Sequence, residues 1–222
     1  MFRIAPDVFQ IPLMPRQSIN AYLLGDVVVD AGIRASARKL MAAIDGRALS
    51  AHVLTHAHPD HQGASHALCT ARNLPLWCHA AERRAAESGN VTSNYPHPDS
   101  LLAKMQQRLL AGPGHPVART LAEGDEVAGF RVVECPGHTR GQIALWREGD
   151  GLLVAGDAAV GMNLVTTARG LGLPLKTATV DMAQARASLR CLAALGPRKV
   201  AFGHGPVAEG DAFRRFVDGL PD

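Results

Sequence analysis

Hydrophobic residues in this chain come in short runs separated by turn residues, and the rhythm of those runs predicts the elements. Residues 21–32 (AYLLGDVVVDAG) hold two apolar runs on either side of Gly25 and Asp26, a β-hairpin signal. Residues 37–44 predict a helix and 51–54 a short buried strand. A helix is expected from about 60 to 71, a strand over LPLWCH and a helix over 80–88. The second half returns to strands at FRVVEC, QIALWRE and GLLVAGD. A helix over roughly 181–195, a strand at KVAFG and a last helix near 210–217 complete the pattern.

Residues 93–116 interrupt this alternation with Asn-, Pro- and His-rich loops around DSLLAKMQQRLLAG. Asp99 or Ser100 can cap a helix there, with Leu101, Leu102, Met105 and Leu109 on one face. That face is expected either to pack on the body or to cover a site as a lid. Each half of the chain lists strands first and helices after, which suits an α+β protein: two facing β-sheets with helices on both outer faces. Residues 1–222 are expected to form one domain with a helical insertion at about 93–116.

Composition narrows the function. An apolar fraction of 47% supports a sizeable core, and a formal charge of +3 with no basic run gives no footprint for nucleic acid. Cys69, Cys78, Cys135 and Cys191 form no Cys-x-x-Cys pair and are expected to be reduced thiols of a cytoplasmic protein. No signal peptide and no apolar stretch of about 18 residues is present, so no membrane partner is expected.

The chemistry concentrates in THAHPDHQG, where His56, His58, Asp60 and His61 fall within six residues. On extended chain His56 and His58 point to the same side. Pro59 ends the strand, and Asp60 and His61, being adjacent, diverge enough to serve a second ion. Imidazole and carboxylate are ligands for zinc, iron or manganese. Three further turns after strands carry His138, Asp157 and His204, each directly preceded by a glycine: Gly137, Gly156 and Gly203.

INAYLL, VVVDAG, THAHPDHQG, PGHTRGQIAL, GDA and FGHG, in that order, resemble the metallo-β-lactamase superfamily, nearest its glyoxalase II-like branch. The resemblance implies an αββα sandwich with a site at one edge of the sheets. It implies that His56, His58 and His138 hold one divalent ion, that Asp60, His61 and His204 hold a second, and that Asp157 bridges them. The cofactors implied are two divalent metal ions, zinc in first place and iron or manganese as alternatives. Two such ions about 3.5–4 Å apart can lower the pKa of a shared water towards neutrality. The activity implied is hydrolysis of a small ester, thioester or lactone by metal-bound hydroxide, with Asp60 orienting the nucleophile.

There are departures. Glyoxalase II binds glutathione with a C-terminal helical region, and with few residues here after His204 its glutathione specificity is not carried over. Where lactonases of the superfamily place a tyrosine after the bridging Asp, this chain has Val160. A mononuclear iron persulfide dioxygenase-like oxidoreductase and a non-catalytic metal-binding protein are the competing readings; all seven ligand candidates being present favours the two-metal hydrolase.

Around the motif, Asp30 is a candidate acceptor for a ligand imidazole. His79 is read as a strand-end structural histidine, and His52 and His66 as packing or surface residues. His97 and His115 lie in the inserted segment with a substrate role open, Cys135 is assigned to the core, and Arg16, Arg140, Arg169 and Lys176 are read as surface residues. The partner expected is a small-molecule substrate, with a homodimer left open.

Overall fold

Tyr22, Leu24, Val27 and Val29 point one way from the first hairpin and Leu23 and Val28 the other, and this alternation sets the layers of the protein. The computed structural model describes residues 1–221. Its first sheet has seven strands in sequence order: β1 (Phe2–Ala5), β2 (Val8–Pro12), β3 (Asn20–Leu24), β4 (Val27–Val29), β5 (Ala51–Val53), β6 (Leu76–His79) and β7 (Val117–Leu121). The first four pair antiparallel and the last four parallel. β8 (Glu126–Val127), β9 (Phe130–Glu134), β10 (Ile143–Arg147) and β11 (Leu152–Val154) join β14 (Lys199–Ala201) and β15 (Ala208–Glu209) in a second, six-stranded sheet. β12 (Val160–Met162) and β13 (Arg169–Gly172) form a separate hairpin.

Three buried apolar clusters fill the spaces between four layers. Tyr22, Leu24, Val29 and Val53 meet Phe130, Val132, Leu145 and Val154 between the sheets. On the outer face of the first sheet, Leu23, Val28 and Leu76 pack with Leu40 of α1 (Ala37–Ala43), Leu68 of α3 (Ser65–Arg72) and Ala85 of α4 (Arg83–Ser88). On the outer face of the second, Val133, Trp146 and Leu153 pack with Leu189 and Leu192 of α6 (Met182–Ala194) and Phe213 of α7 (Gly210–Asp218). This is the αββα sandwich expected of the sequence. Among the described residues no helix is long and apolar enough to cross a membrane.

The helix expected over 60–71 is two pieces, α2 (Pro59–Gln62) and α3. The break comes at Ala64, which leaves helical geometry at φ −101° and ψ 4°, just after Gly63, where a Cβ would stand 2.4 Å from the Arg34 backbone nitrogen. The inserted helix, α5 (Leu101–Leu109), is capped by the Ser100 hydroxyl, which accepts from the Ala103 amide. Its orientation departs from the sequence expectation. Leu101, Leu102, Met105 and Leu109 are 84%, 45%, 49% and 57% exposed, while Ala103 is buried. The polar side is anchored instead: the Gln107 carbonyl accepts from the amide and hydroxyl of Thr92, and its NH₂ donates to the Gly89 carbonyl. Three specific hydrogen bonds set the helix rotation, and the leucine stripe is left outward.

His52 in β5 is fully buried. Its Nδ1–H donates to the Val28 carbonyl at 3.0 Å, so Nε2 accepts from the Ser65 hydroxyl at 2.8 Å. Burial pushes the ring down to about 4 from its usual 6.5. Above pH 6.5 neither state holds the proton; as pH falls towards 4 only the unfolded chain takes it up, so folding stability drops. That difference amounts to about 3 kcal/mol. In denaturant titrations, wild type should therefore lose about that much more stability than His52→Gln between pH 6.5 and 4. Parallel pH profiles would contradict the assignment.

Candidate metal centre

All of the predicted site residues lie where strands stop. After β5 the chain bends at Thr55 and His56, His58 is extended, and Pro59 at the first helical turn starts α2, which carries Asp60 and His61. His138 follows β9, Asp157 follows β11 and His204 follows β14. Their donor atoms converge in three sets, each with all atoms within 4.8 Å of one another: His56, His58 and His138; His56, His61 and Asp157; Asp60, His61 and His204. Asp157 stands at the junction. One of its oxygens is 3.5 Å from His61 Nε2, and the other is 3.0 Å from His204 Nε2 and 3.8 Å from His138 Nε2. Asp60 Oδ2 lies 3.2 Å from His204 Nε2.

The backs of four of the five rings are held by the protein. His61 Nδ1–H donates to Asp30 Oδ2 at 2.8 Å, the role proposed for that strand-end aspartate. Asp30 also accepts from the amide and hydroxyl of Thr55, and the Thr55 hydroxyl faces His56 Nδ1 at 3.1 Å. The Thr179 hydroxyl donates to the Leu175 carbonyl and so receives the His138 Nδ1–H at 3.0 Å. His204 Nδ1–H donates to the Ser18 carbonyl. These bonds turn the Nε2 lone pairs of His56, His61, His138 and His204 towards one another.

Five buried atoms at the point of convergence have no hydrogen-bond partner: Nε2 of His56, His58, His61 and His138, and Oδ1 of Asp157. Buried polar atoms are seldom left so, and one small volume collecting five of them needs an electrophile. Lone pairs of this type, in sets of three, fit a divalent cation.

Charge points the same way. Burial, then the neighbouring imidazoles, hold His56 and His58 well below the usual range, and burial takes His138 to about 4. These three rings resist protons and keep lone pairs for a cation. Burial would also lower His61 and His204, but the carboxylates overrule it: Asp30 and Asp157 raise His61 well above its ordinary value, and Asp157 and Asp60 bring His204 to about 10. Burial would raise Asp60 and Asp157, yet His204 and His61 pull both below the carboxylate range. The carboxylate side of the cluster thus attracts positive charge strongly enough to overcome burial.

The three glycines before ligand candidates have separate reasons. Gly137 and Gly156 adopt left-handed backbone, φ 133° and 52°. At Gly203 the constraint is space, since a Cβ would stand 2.2 Å from Asp157 Oδ1 and 2.6 Å from His61 Cε1. Asn20 on β3 locks this turn to the other sheet: its amide donates to the Gly203 carbonyl, and its side chain donates to the carbonyls of Phe202 and Gly205.

Sequence reasoning missed Glu82. Its buried carboxylate accepts from the Ala57 amide at 2.9 Å, the Gly141 amide at 3.0 Å and the Asn94 side chain at 2.7 Å. One side chain therefore ties the loop of His56 and His58 to the loop of His138 and to the inserted segment. Only the burial of a residue inside an exposed-looking AAERRAAES helix would have revealed it. His79 is structural, as expected: Nδ1 accepts from the Ala81 amide and Nε2 pairs with Glu134 at 3.2 Å. His66 and His115 contact each other at 3.4 Å, away from the cluster.

The cluster floors a cleft of about 270 Å³. Ile19, Leu110, Met162, Leu164, Pro174 and Leu175 form apolar walls, and Tyr95 and Gln106 reach in from the inserted segment. Among the described residues lining it there is no lysine or arginine; Arg140, Arg169 and Lys176 lie outside, and Arg16 stands behind the wall, donating to the Thr167 hydroxyl at 2.6 Å. Burial, then the nearby Asp60 and Asp157 carboxylates, hold the Tyr95 phenol protonated, above the usual tyrosine range.

The sequence profile of the Metallo-beta-lactamase superfamily matches residues 14–204. A probable metallo-hydrolase of Bacillus subtilis, YflN, is 30% identical over 212 residues, 85% of this chain and 78% of its own. A hydroxyacylglutathione hydrolase of Halorhodospira halophila is 31% identical over 158 residues, covering 70% of this chain but 47% of the relative. The crystal structure of TTHA1623 in a di-iron-bound form superposes with a TM-score of 0.72 at 30% identity, covering 93% of this chain and 97% of that one.

The space at Gly203 yields a test. Gly203→Ala should push Asp157 and His61 apart and weaken metal binding about 10- to 100-fold in competition with a chromophoric chelator. Overpacking should cost about 1–3 kcal/mol of stability in the metal-free protein. Unchanged metal affinity would show that the turn does not set the ligand positions.

Proposed function

This chain belongs to the metallo-beta-lactamase superfamily, and from that premise we propose that it is a binuclear metal-dependent hydrolase of a small ester, thioester or lactone. The observation that carries the reading is the set of five buried donor atoms without a hydrogen bond, facing one volume at the floor of a cleft. His56, His58 and His138 would hold one divalent ion, Asp60, His61 and His204 the second, with Asp157 between them. Zinc suits the ligand set, and iron is the alternative supported by the di-iron form of TTHA1623. When bound, two such ions supply a water of lowered pKa and a Lewis acid for the substrate oxygen.

The remaining work falls to the chain. Asp60 is the most open of the acidic ligands, its side chain 26% exposed, and its carboxylate can accept a hydrogen bond from the attacking water and aim it. Asp30, Thr55, Thr179 and the Ser18 carbonyl keep the imidazoles oriented through turnover. Ile19, Leu110, Met162 and Leu175 exclude water from one side of the cleft and seat the apolar part of the substrate. Residues 93–116 are read as an insertion that supplies one wall, through Tyr95, Gln106 and Leu110. The lining itself carries no cation for the two carboxylates of a glutathione thioester, and the guanidinium at its edge, Arg16, is engaged by Thr167, so glutathione is not the favoured substrate although the fold matches part of a hydroxyacylglutathione hydrolase. A second donor set at Asp60, His61 and His204 favours two ions over the single iron of the oxidoreductase reading.

Asp157→Ala tests the assignment, because it removes the carboxylate between the two sets while leaving the apolar cores intact. Elemental analysis should fall from two divalent ions per chain to one or fewer, and ester hydrolysis by at least about 100-fold. Wild-type metal content and turnover in the variant would end the binuclear reading.

A further inference from the structure

Tyr95 is the one phenol among the described residues that line the cleft. The only other tyrosine, Tyr22, is buried between the sheets, with its hydroxyl donating to the Phe202 carbonyl at 2.6 Å. The Tyr95 hydroxyl has no hydrogen-bond partner among the described residues, although the ring is packed against His58. Its centroid lies 4.7 Å from that of His58, edge to face at 82°. It lines the same cleft as His58, Asp60, His138, Asp157 and His204.

Its position is prepared rather than incidental. The residue before it, Asn94, donates to Glu82 at 2.7 Å, and Glu82 also holds the Ala57 and Gly141 amides beside the ligand loops. The Tyr95 amide donates to the Thr92 carbonyl, and Thr92 is fastened to Gln107 of α5 through both its amide and its hydroxyl. Two independent anchors, one to the ligand loops and one to the inserted helix, thus fix a phenol at the cleft wall. A tyrosine kept only to fill that wall would need neither the hydroxyl nor the anchors.

The geometry points to Tyr95 as a catalytic residue whose hydroxyl donates a hydrogen bond to the carbonyl oxygen of the bound ester, thioester or lactone. This rests on the hydrolase reading above. In that reaction the attacking water oxygen bonds to the acyl carbon and the carbonyl π pair moves onto oxygen. Its return expels the leaving alcohol or thiol, and water's protons end on the products. Charge therefore develops on the carbonyl oxygen, the atom beside which the assignment puts the Tyr95 hydroxyl. A donor already in place, with no protein partner to give up, stabilises that charge without reorganisation. The phenol gives a hydrogen bond throughout and does not itself transfer the proton.

Tyr95→Phe keeps the ring against His58 and removes only the hydroxyl. With metal-loaded protein and two probes, 4-nitrophenyl acetate and the poorer leaving group phenyl acetate, kcat should fall about 100-fold. KM and metal content should be unchanged, and the loss equal for both esters. A loss that grows with the poorer leaving group would move the bond to the leaving oxygen and overturn the assignment. So would a wild-type kcat, or a fall that follows lost metal. Wild-type protein that hydrolyses neither ester would remove the hydrolase reading and this role together, whereas active wild type with an equally active variant removes this role alone. Binding gives a second readout: the infrared carbonyl stretch of bound ¹³C-labelled 1-(4-nitrophenyl)propan-2-one, a ketone analogue of the nitrophenyl ester, should lie lower in wild type than in Tyr95→Phe. Equal frequencies would contradict the hydrogen bond.

Discussion

Three aspartates, Asp30, Asp60 and Asp157, crowd against buried imidazoles at one end of two facing sheets, and the charge of that cluster has to be answered from within the site. Water cannot do it, because His56, His58, His61, His138 and Asp157 are sealed from solvent almost completely. Protons do it poorly, because burial and mutual repulsion hold His56, His58 and His138 in the neutral form while only the carboxylate-flanked His61 and His204 accept one readily. A divalent cation satisfies both demands, taking lone pairs from the neutral rings and balancing the carboxylates. Much of the local architecture follows from that requirement. The glycines give the backbone room, the ring backs are tied down, and Glu82 and Asn20 join segments that would otherwise drift independently.

The sandwich suits the task because every ligand-bearing turn grows from the end of a strand already fixed by two-sided packing. β5 and β11 are buried on both faces, so the turns that leave them inherit little freedom. Hydrogen bonds from Asn20 and Tyr22 of the first sheet to Phe202 carry that order across to the turn of His204 in the second. The inserted segment is held differently, by polar side chains from Thr92, Asn94 and Gln107, and its leucines face outward.

That difference explains what could be read from the sequence. The layered fold was legible because strands such as AYLL and VVVD alternate between two buried faces, and the site because His56, His58 and His61 are too closely spaced for ordinary packing. His138, Asp157 and His204, each weak alone, became legible through their order behind that motif and the family resemblance it carries. The orientation of α5 was not legible, since its leucine stripe promised an inward face and three hydrogen bonds from Gln107 decided otherwise. Nor were the short strands β1, β2, β7, β8, β12, β13 and β15 read in advance, where apolar alternation is brief or absent. Glu82 and Tyr95 escaped notice for a related reason: each matters through long-range contacts, and neither sits in a distinctive local pattern.

The account stands most directly on where cations bind. Crystals of the protein loaded with zinc, or with iron under anaerobic conditions, would show this by anomalous scattering at the metal edge. Two peaks per chain are expected, one among His56, His58 and His138 and the other among Asp60, His61 and His204, with the Asp157 carboxylate reaching both. A single peak, or metal bound away from these side chains while the five buried donor atoms stay unpaired, would contradict it.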